Sequence, residues 1–229
     1  PTFYVRLLAE AGLTREACRR MRLFISGSAP LLADTFDAFR ERSGHTILER
    51  YGMSESGIIT SNPHDGERRR GTVGLPLPGV SVRVVGPDGD LLSPLQPGDV
   101  QIRGANVFSG YWRMPEKTRE EFTADGWFRT GDIGQWDAEG YLTIVGRSKD
   151  LIISGGYNVY PKEIELVLDN IPGISESAVI GVPHPDFGEA VTAVVKRAGE
   201  APDEAAVIAH CRALLAGFKV PKRVLLADD

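Results

Sequence analysis

Tyr51-Gly52-Met53-Ser54-Glu55 places a flat ring, a residue without a side chain, a hydroxyl and a carboxylate within five positions. Such a set can stack a base, bring backbone close to a phosphate and hold a hydrated Mg²⁺ through one carboxylate; taken alone it is equally an ordinary turn with Glu55 in water. Upstream, Gly27-Ser28-Ala29-Pro30 has the small residues that let backbone amides face a ligand. The alternative there is a tight strand-to-helix connection with Pro30 at the first helical position. Thr130-Gly131-Asp132 follows Gly126-Trp127-Phe128 and carries a carboxylate suited to ribose hydroxyls, or else a turn aspartate bonding its own backbone. The longest stretch is Gly146-Arg147-Ser148-Lys149-Asp150 followed by Ser154-Gly155-Gly156-Tyr157-Asn158-Val159-Tyr160-Pro161-Lys162-Glu163-Ile164-Glu165. Its local reading is a solvated linker, a Gly-Gly turn and a Pro-started helix with early acidic residues.

The elements that must hold these residues fall into three patterns. Arg22 to Ser26 reads as a short buried strand, followed by a helix with Leu31, Leu32, Phe36 and Phe39 at near-helical spacing and a stop at Ser43-Gly44. A strand from Thr46 to Glu49 then delivers the chain to a loop at Tyr51–Glu55, so the opening segment, 1–70, is α/β; ligands in open α/β sheets sit at such strand-to-loop junctions. From 71 to 147 short alternating strands, including Val80–Val85 and Val100–Arg103, are separated by Pro-Asp-Gly and Ala-Glu-Gly turns, which predicts a compact β-barrel or sandwich. Residues 148–229 read as a small α+β domain: a strand at Leu151–Ile153, a helix from Pro161, strands near Ala178–Val182 and Val191–Val195, and a helix near Glu204–Leu215. The polar stretch Arg147–Asp150 marks the boundary.

At 229 residues the chain can bury a core, and two domains are expected. Hydrophobic content of 42% excludes a disordered chain, and 26 basic against 31 acidic residues give a net charge of -5, so no overall basic field draws nucleic acid or an anionic membrane. Any phosphate must be held locally. Cys18 and Cys211 are too far apart in sequence to suggest a disulfide framework or a metal cluster, which points to a reducing, cytoplasmic compartment. No apolar run approaches the roughly 20 residues that span a bilayer. The chain opens at Pro1 and closes on Leu226-Ala227-Asp228-Asp229, which reads as a cut, so both ends are treated as provisional. Nothing in the sequence speaks to oligomeric state.

In order along the chain, Gly-Ser-Ala-Pro, Tyr-Gly-Met-Ser-Glu, Gly110-Tyr111-Trp112, Thr-Gly-Asp, and Gly-Arg-Ser-Lys-Asp through Tyr-Pro-Lys-Glu-Ile-Glu together resemble the adenylate-forming superfamily of acyl-CoA synthetases, luciferases and peptide-synthetase adenylation domains. The resemblance covers essentially the whole chain. Gly-Ser-Ala-Pro-Leu, Glu-Arg-Tyr-Gly-Met, Thr60-Ser61-Asn62-Pro63 and Gly-Gly-Tyr-Asn-Val-Tyr-Pro-Lys-Glu are most similar to malonyl-CoA synthetases. It implies the end of an adenylate-forming amino-terminal domain, α/β plus a small β-barrel, followed by a mobile α+β carboxyl-terminal domain.

The resemblance further implies conversion of a short carboxylic acid, malonate or methylmalonate, with Mg-ATP to an acyl-adenylate, followed by transfer to CoA. Gly27, Ser28, Ala29, Pro30 and Tyr51, with Gly52 and Met53, would line the adenine and AMP site; Ser54 would meet the phosphate and Glu55 the Mg²⁺. Asp132 and Arg147 would hold the ribose, Lys149 would be the hinge, and Gly155 and Gly156 would approach the pantetheine tunnel. Arg22 and Arg68 sit where the malonyl-CoA synthetase pattern has arginines for a distal carboxylate; their bland readings are a structural arginine and, for Arg68-Arg69-Arg70, a solvated charge run. The family's phosphate loop and adenylation lysine are absent from these residues, and Lys219 and Lys222 are not that lysine, so the 229 residues alone are expected to be inactive. A ligase for another short or medium-chain acid, an adenylation domain that loads a carrier protein, and a non-catalytic nucleotide-binding module remain as alternatives.

Overall fold

The computed structural model describes residues 1–199 and 202–227; the closing Asp228-Asp229 lies outside them. The chain divides into two compact units, Pro1–Ile144 and Val145–Asp229.

The larger unit begins with helices α1 (Thr2–Ala9) and α2 (Arg15–Cys18), then β1 (Ile25–Ser26), α3 (Ala33–Ser43), β2 (Leu48–Met53), β3 (Gly57–Ser61) and β4 (Leu75–Pro76). These four strands form a sheet in that order, with β1 parallel to β2 and β2 antiparallel to β3. A second sheet follows from β5 (Val80–Val85), β6 (Gly98–Gly104), β7 (Phe128–Trp136) and β8 (Leu142–Arg147), with helix α4 (Pro115–Glu121) between β6 and β7. Division between the units falls inside β8, after Ile144.

Two cores hold this unit. Tyr4, Cys18, Leu31, Phe36, Phe39 and Ile47 pack under the helices, where the Phe36 and Phe39 rings lie one helical turn apart on a single face of α3. Ile59 joins Val84, Val100, Ile102, Phe128 and Leu142 in the second core, so the β2–β3 hairpin is anchored to the second sheet by its own apolar residue.

Three local expectations change. The strand expected over Arg22–Ser26 contracts to Ile25–Ser26, because its only partners are Leu48 and Glu49 of β2. Helix α3 starts at Ala33 rather than at Pro30: Ser28 adopts a left-handed φ of 69°, and Leu31 turns inward as a core residue. Gly44, at φ 76°, ends the helix as expected of a glycine in the left-handed cap. Tyr51, Gly52 and Met53 belong to strand β2, and only the residues from Ser54 to Ser56 form its connection to β3.

In the smaller unit a 3₁₀ turn (Ser148–Asp150) leads into β9 (Ile152–Ser154), β10 (Tyr157–Val159), α5 (Pro161–Leu168), β11 (Ile174–His184), β12 (Gly188–Arg197), α6 (Glu204–Leu214) and β13 (Arg223–Ala227). The sheet order is β10-β9-β12-β11, and β13 runs parallel beside β12. Ile164 and Leu168 of α5, and Val207 and Cys211 of α6, are four residues apart and close a core over Val191, Ala193 and Val195 of β12. Both cysteines are free and buried. Among the described residues no helix is long and apolar enough to cross a membrane.

Candidate functional site

The β2–β3 hairpin is the centre of the candidate site. Its register slips between Tyr51 and Gly52, a bulge that only glycine permits: a Cβ on Gly52 would stand 2.2 Å from the Gly57 carbonyl oxygen and 2.9 Å from the Ile58 Cα. The Tyr51 hydroxyl donates a hydrogen bond to the Asp132 carboxylate.

Asp132 itself is 5% exposed and sits in a second bulge. Asp99 pairs with Ile133 and Gln101 with Arg129, so Thr130, Gly131 and Asp132 all lie opposite Val100. The Thr130 hydroxyl donates to the Val100 carbonyl at 2.8 Å and accepts from the Asp132 amide at 3.1 Å, while Gly131 adopts φ 72°. Thr-Gly-Asp is therefore strand, not a surface turn. The bulge re-aims one carboxylate toward the ring of Tyr51.

Glu55 occupies the connection after β2, part-exposed, with Ser54 exposed beside it. Its carbonyl accepts from the Phe108 amide at 2.8 Å, the neighbouring Ser56 carbonyl accepts from the Asn106 side-chain amide at 2.9 Å, and its Oε1 accepts from the Tyr111 hydroxyl at 3.1 Å. Burial, and then the bond to Glu55 and its charge, push the Tyr111 hydroxyl up to about 12. Tyr111 carried no reading of its own in the sequence beyond membership of Gly-Tyr-Trp. The only signal that could have found it is that motif's aromatic ring, 56 residues from the carboxylate.

Gly27 runs close beside β2, where a Cβ would lie 3.1 Å from the Arg50 carbonyl oxygen and 3.4 Å from the Arg50 Cγ; Ser28, Ala29 and Pro30 are exposed. Parallel pairing sets Ser26 against Glu49. Both are buried, at 4% and 6% exposure, and among the described residues Ser26 Oγ and Glu49 Oε1 have no hydrogen-bond partner. Burial pushes the Glu49 carboxyl up to about 7, against the opposing pull of the Gly71 and Leu31 amides.

Of the three adjacent arginines, Arg68 and Arg69 are half-buried and Arg70 stays exposed. Arg68 donates from Nε to the Pro63 carbonyl at 3.1 Å, from Nη1 to Thr46 at 2.6 Å and from Nη2 to His64 at 2.8 Å. Arg69 engages Glu67, Asp137 and Glu139 and lies 4.2 Å from the centre of the Tyr141 ring, while Arg70 pairs with Asp37. The buried Asn62 fixes the same loop through bonds to the Glu49 and Thr72 carbonyls and the Arg69 amide. Arg22 is exposed and precedes β1 rather than starting it.

In the smaller unit Arg147 ends β8, and Lys149 is the middle residue of the 3₁₀ turn; both are exposed. Gly155 and Gly156, at φ 59° and 81°, form the two-residue connection of the β9–β10 hairpin, in which Tyr157 pairs with Ser154. Two positive φ values are what a type I′ turn demands.

Among the described residues no group of three or more His, Cys, Asp and Glu is placed to hold a metal ion. A lone carboxylate such as Glu55 fits Mg²⁺, which binds through one or two carboxylates and substrate phosphates rather than in a protein cage.

A family model described as AMP-binding enzyme matches residues 1–112, and one described as AMP-binding enzyme C-terminal domain matches residues 163–229. A sulfoacetate–CoA ligase of Cupriavidus necator is 44% identical over 205 residues, 88% of this chain and 40% of that protein. A long-chain-fatty-acid–CoA ligase of Yersinia pestis is 39% identical over 231 residues, 100% of this chain and 41% of the relative. The crystal structure of ATP-bound MatB from Rhodopseudomonas palustris superposes with a TM-score of 0.95 at 57% identity, over 100% of this chain and 46% of that one. The chain thus spans about two fifths of the length of the curated relatives it matches. With both family models on one chain, residues 1–112 and 163–229, the chain belongs to the AMP-binding enzyme family.

Proposed function

We propose that the protein carrying this chain activates malonate or methylmalonate with Mg-ATP to an acyl-adenylate and passes the acyl group to CoA. The bond between Tyr51 and Asp132 carries this reading, because it sets a flat ring for a base beside a carboxylate for ribose hydroxyls. Gly27, Ser28, Ala29 and Pro30, with Tyr51, Gly52 and Met53, line the adenine site; Ser54 meets the phosphate and Glu55 the Mg²⁺. A Mg²⁺ held by Glu55 would supply positive charge at the phosphates, while Ser54, Tyr51 and Asp132 orient the nucleotide. In the smaller unit Arg147 takes the family's ribose-binding role, Lys149 the hinge, and Gly155 and Gly156 the segment that meets the pantetheine arm.

Malonate is favoured by the 57% identity to MatB and by the sulfoacetate ligase at 44%, whose named substrate carries an anion beyond the reacting carboxylate. Arg68 is the residue for that anion: a guanidinium has five N–H donors, and three are committed to carbonyls. Those same three bonds support a second reading, in which Arg68 is only a brace and the acid is another short or medium-chain one. Trapping the acyl-adenylate tests the proposal: the full-length protein with Mg-ATP and malonate, without CoA, accumulates malonyl-adenylate detectable by mass. These 229 residues alone accumulate none, since they lack the phosphate loop and the adenylation lysine. Failure of the full-length protein to form an adenylate with any acid overturns the proposal.

A further inference from the structure

We infer that Tyr111 is a positioning residue for Glu55, and that the Asn106–Tyr111 segment works as a clamp holding that carboxylate in the orientation a nucleotide-bound divalent cation requires. The inference rests on the reading of Glu55 as the Mg²⁺ contact and adds to it a residue that never touches substrate.

Three bonds from one segment converge on two successive residues: Asn106 to the Ser56 carbonyl at 2.9 Å, Phe108 to the Glu55 carbonyl at 2.8 Å, and Tyr111 to Glu55 Oε1 at 3.1 Å. The first two fix the backbone of Ser56 and Glu55, and the third fixes the Glu55 side chain. Tyr111 is itself held from three directions. Its amide donates to Thr118 Oγ1 at 2.9 Å, its ring meets Phe108 edge-on at 4.8 Å, and Lys117 Nζ lies 5.5 Å from its centre. Gly110 is required for this arrangement, because a Cβ there would come within 2.7 Å of Thr118 Cγ2 and its φ is 148°. Trp112, the next residue, is 84% exposed, so the segment turns the tyrosine inward and leaves its neighbour outside.

The hydroxyl suits the task chemically. A phenol is neutral near pH 7, so it donates to Glu55 Oε1 without bringing a charge of its own to the cation. A carboxylate with one oxygen tied has fewer rotamers to lose on binding the metal, the part that outer hydrogen bonds play around metal ligands generally.

The test follows Mn²⁺, as a paramagnetic substitute for Mg²⁺, binding to the full-length protein with a non-hydrolysable ATP analogue, read by electron paramagnetic resonance. Tyr111→Phe keeps the ring and is expected to raise the Mn²⁺ half-saturation about tenfold, while metal-free AMP affinity stays at the wild-type value. Thr118→Val, which removes the acceptor of the Tyr111 amide, shifts it in the same direction and serves if Tyr111→Phe does not fold. An unchanged Mn²⁺ curve in a folded Tyr111→Phe overturns the inference, as does an equal loss of metal-free AMP binding. Glu55→Gln separates the two layers: a wild-type Mn²⁺ curve in that variant removes the assignment of Glu55 itself, and a weakened one beside an unaffected Tyr111→Phe removes only the clamp.

Discussion

The Tyr51 hydroxyl is bonded to the Asp132 carboxylate across 81 residues of sequence. Two bulges, one in β2 and one in β7, turn these side chains toward each other. Tyr51→Phe keeps the ring and removes the donor to a charged group, which lowers stability by roughly 1.5–3 kcal/mol. Urea unfolding of the larger unit, followed by tryptophan fluorescence, measures the loss.

Gly52→Ala is expected to be much worse than its single added methyl suggests. That methyl meets main-chain atoms at 2.2 and 2.9 Å, which cannot move aside without opening the β2–β3 hairpin. A loss of about 3 kcal/mol or more is predicted, with AMP binding abolished in whatever fraction stays folded. Gly57→Ala, where a Cβ meets nothing within 4 Å but φ is 63°, loses only the about 1–2 kcal/mol of left-handed strain. Equal effects from the two substitutions contradict the close-approach argument.

Glu49 gives the larger unit a pH-dependent stability. Its carboxyl is raised in the fold from 4.5 to about 7, so the folded state binds the proton more tightly than the unfolded chain does. The stabilisation is complete below pH 4.5 and is lost as pH rises toward 7, a change of about 3 kcal/mol. Glu49→Gln removes this contribution. Denaturant unfolding at several pH values checks it, and identical slopes in the two proteins contradict it.

Much of this was legible in the sequence, and what was missed has a common cause. The stop at Gly44, strand β5, and the starts of α5 and α6 follow from local chemistry: a left-handed glycine, alternation, and a proline or a capping aspartate at a helix start. Pairing partners are not local. Nothing within Arg22–Ser26 says that β2 offers only two residues to pair with, and nothing within Thr130-Gly131-Asp132 says that Val100 stands opposite all three. Tyr111 escaped for the same reason, since its partner Glu55 lies on another element. The sequence left Arg68 open between a carboxylate contact and part of a solvated run, because adjacent like charges usually face water, and nothing local says that Arg68 meets the Thr46 carbonyl and Arg69 the Asp137 carboxylate once the loops fold.

Valine at Gly156 strains a backbone position at φ 81° without meeting any neighbour, since nothing lies within 4 Å of its Cβ. The cost is about 1–2 kcal/mol in the smaller unit. In the full-length protein Gly156→Val is expected to slow thioester formation more than adenylation, measured as CoA ester produced against pyrophosphate exchanged. Equal slowing of both half-reactions removes the assignment of this turn to the pantetheine arm.

Acid-dependent ATP–pyrophosphate exchange by the full-length protein, comparing malonate, methylmalonate, acetate, butyrate and an aromatic acid, tests the central claim most directly, with Arg68→Ala alongside. The account predicts exchange strongest with malonate or methylmalonate, and a loss in Arg68→Ala at least about tenfold greater for these than for acetate or butyrate, as expected when a desolvated carboxylate loses its charged partner. Preference for a monocarboxylate, untouched by Arg68→Ala, would contradict the dicarboxylate assignment and leave Arg68 as the brace of its loop.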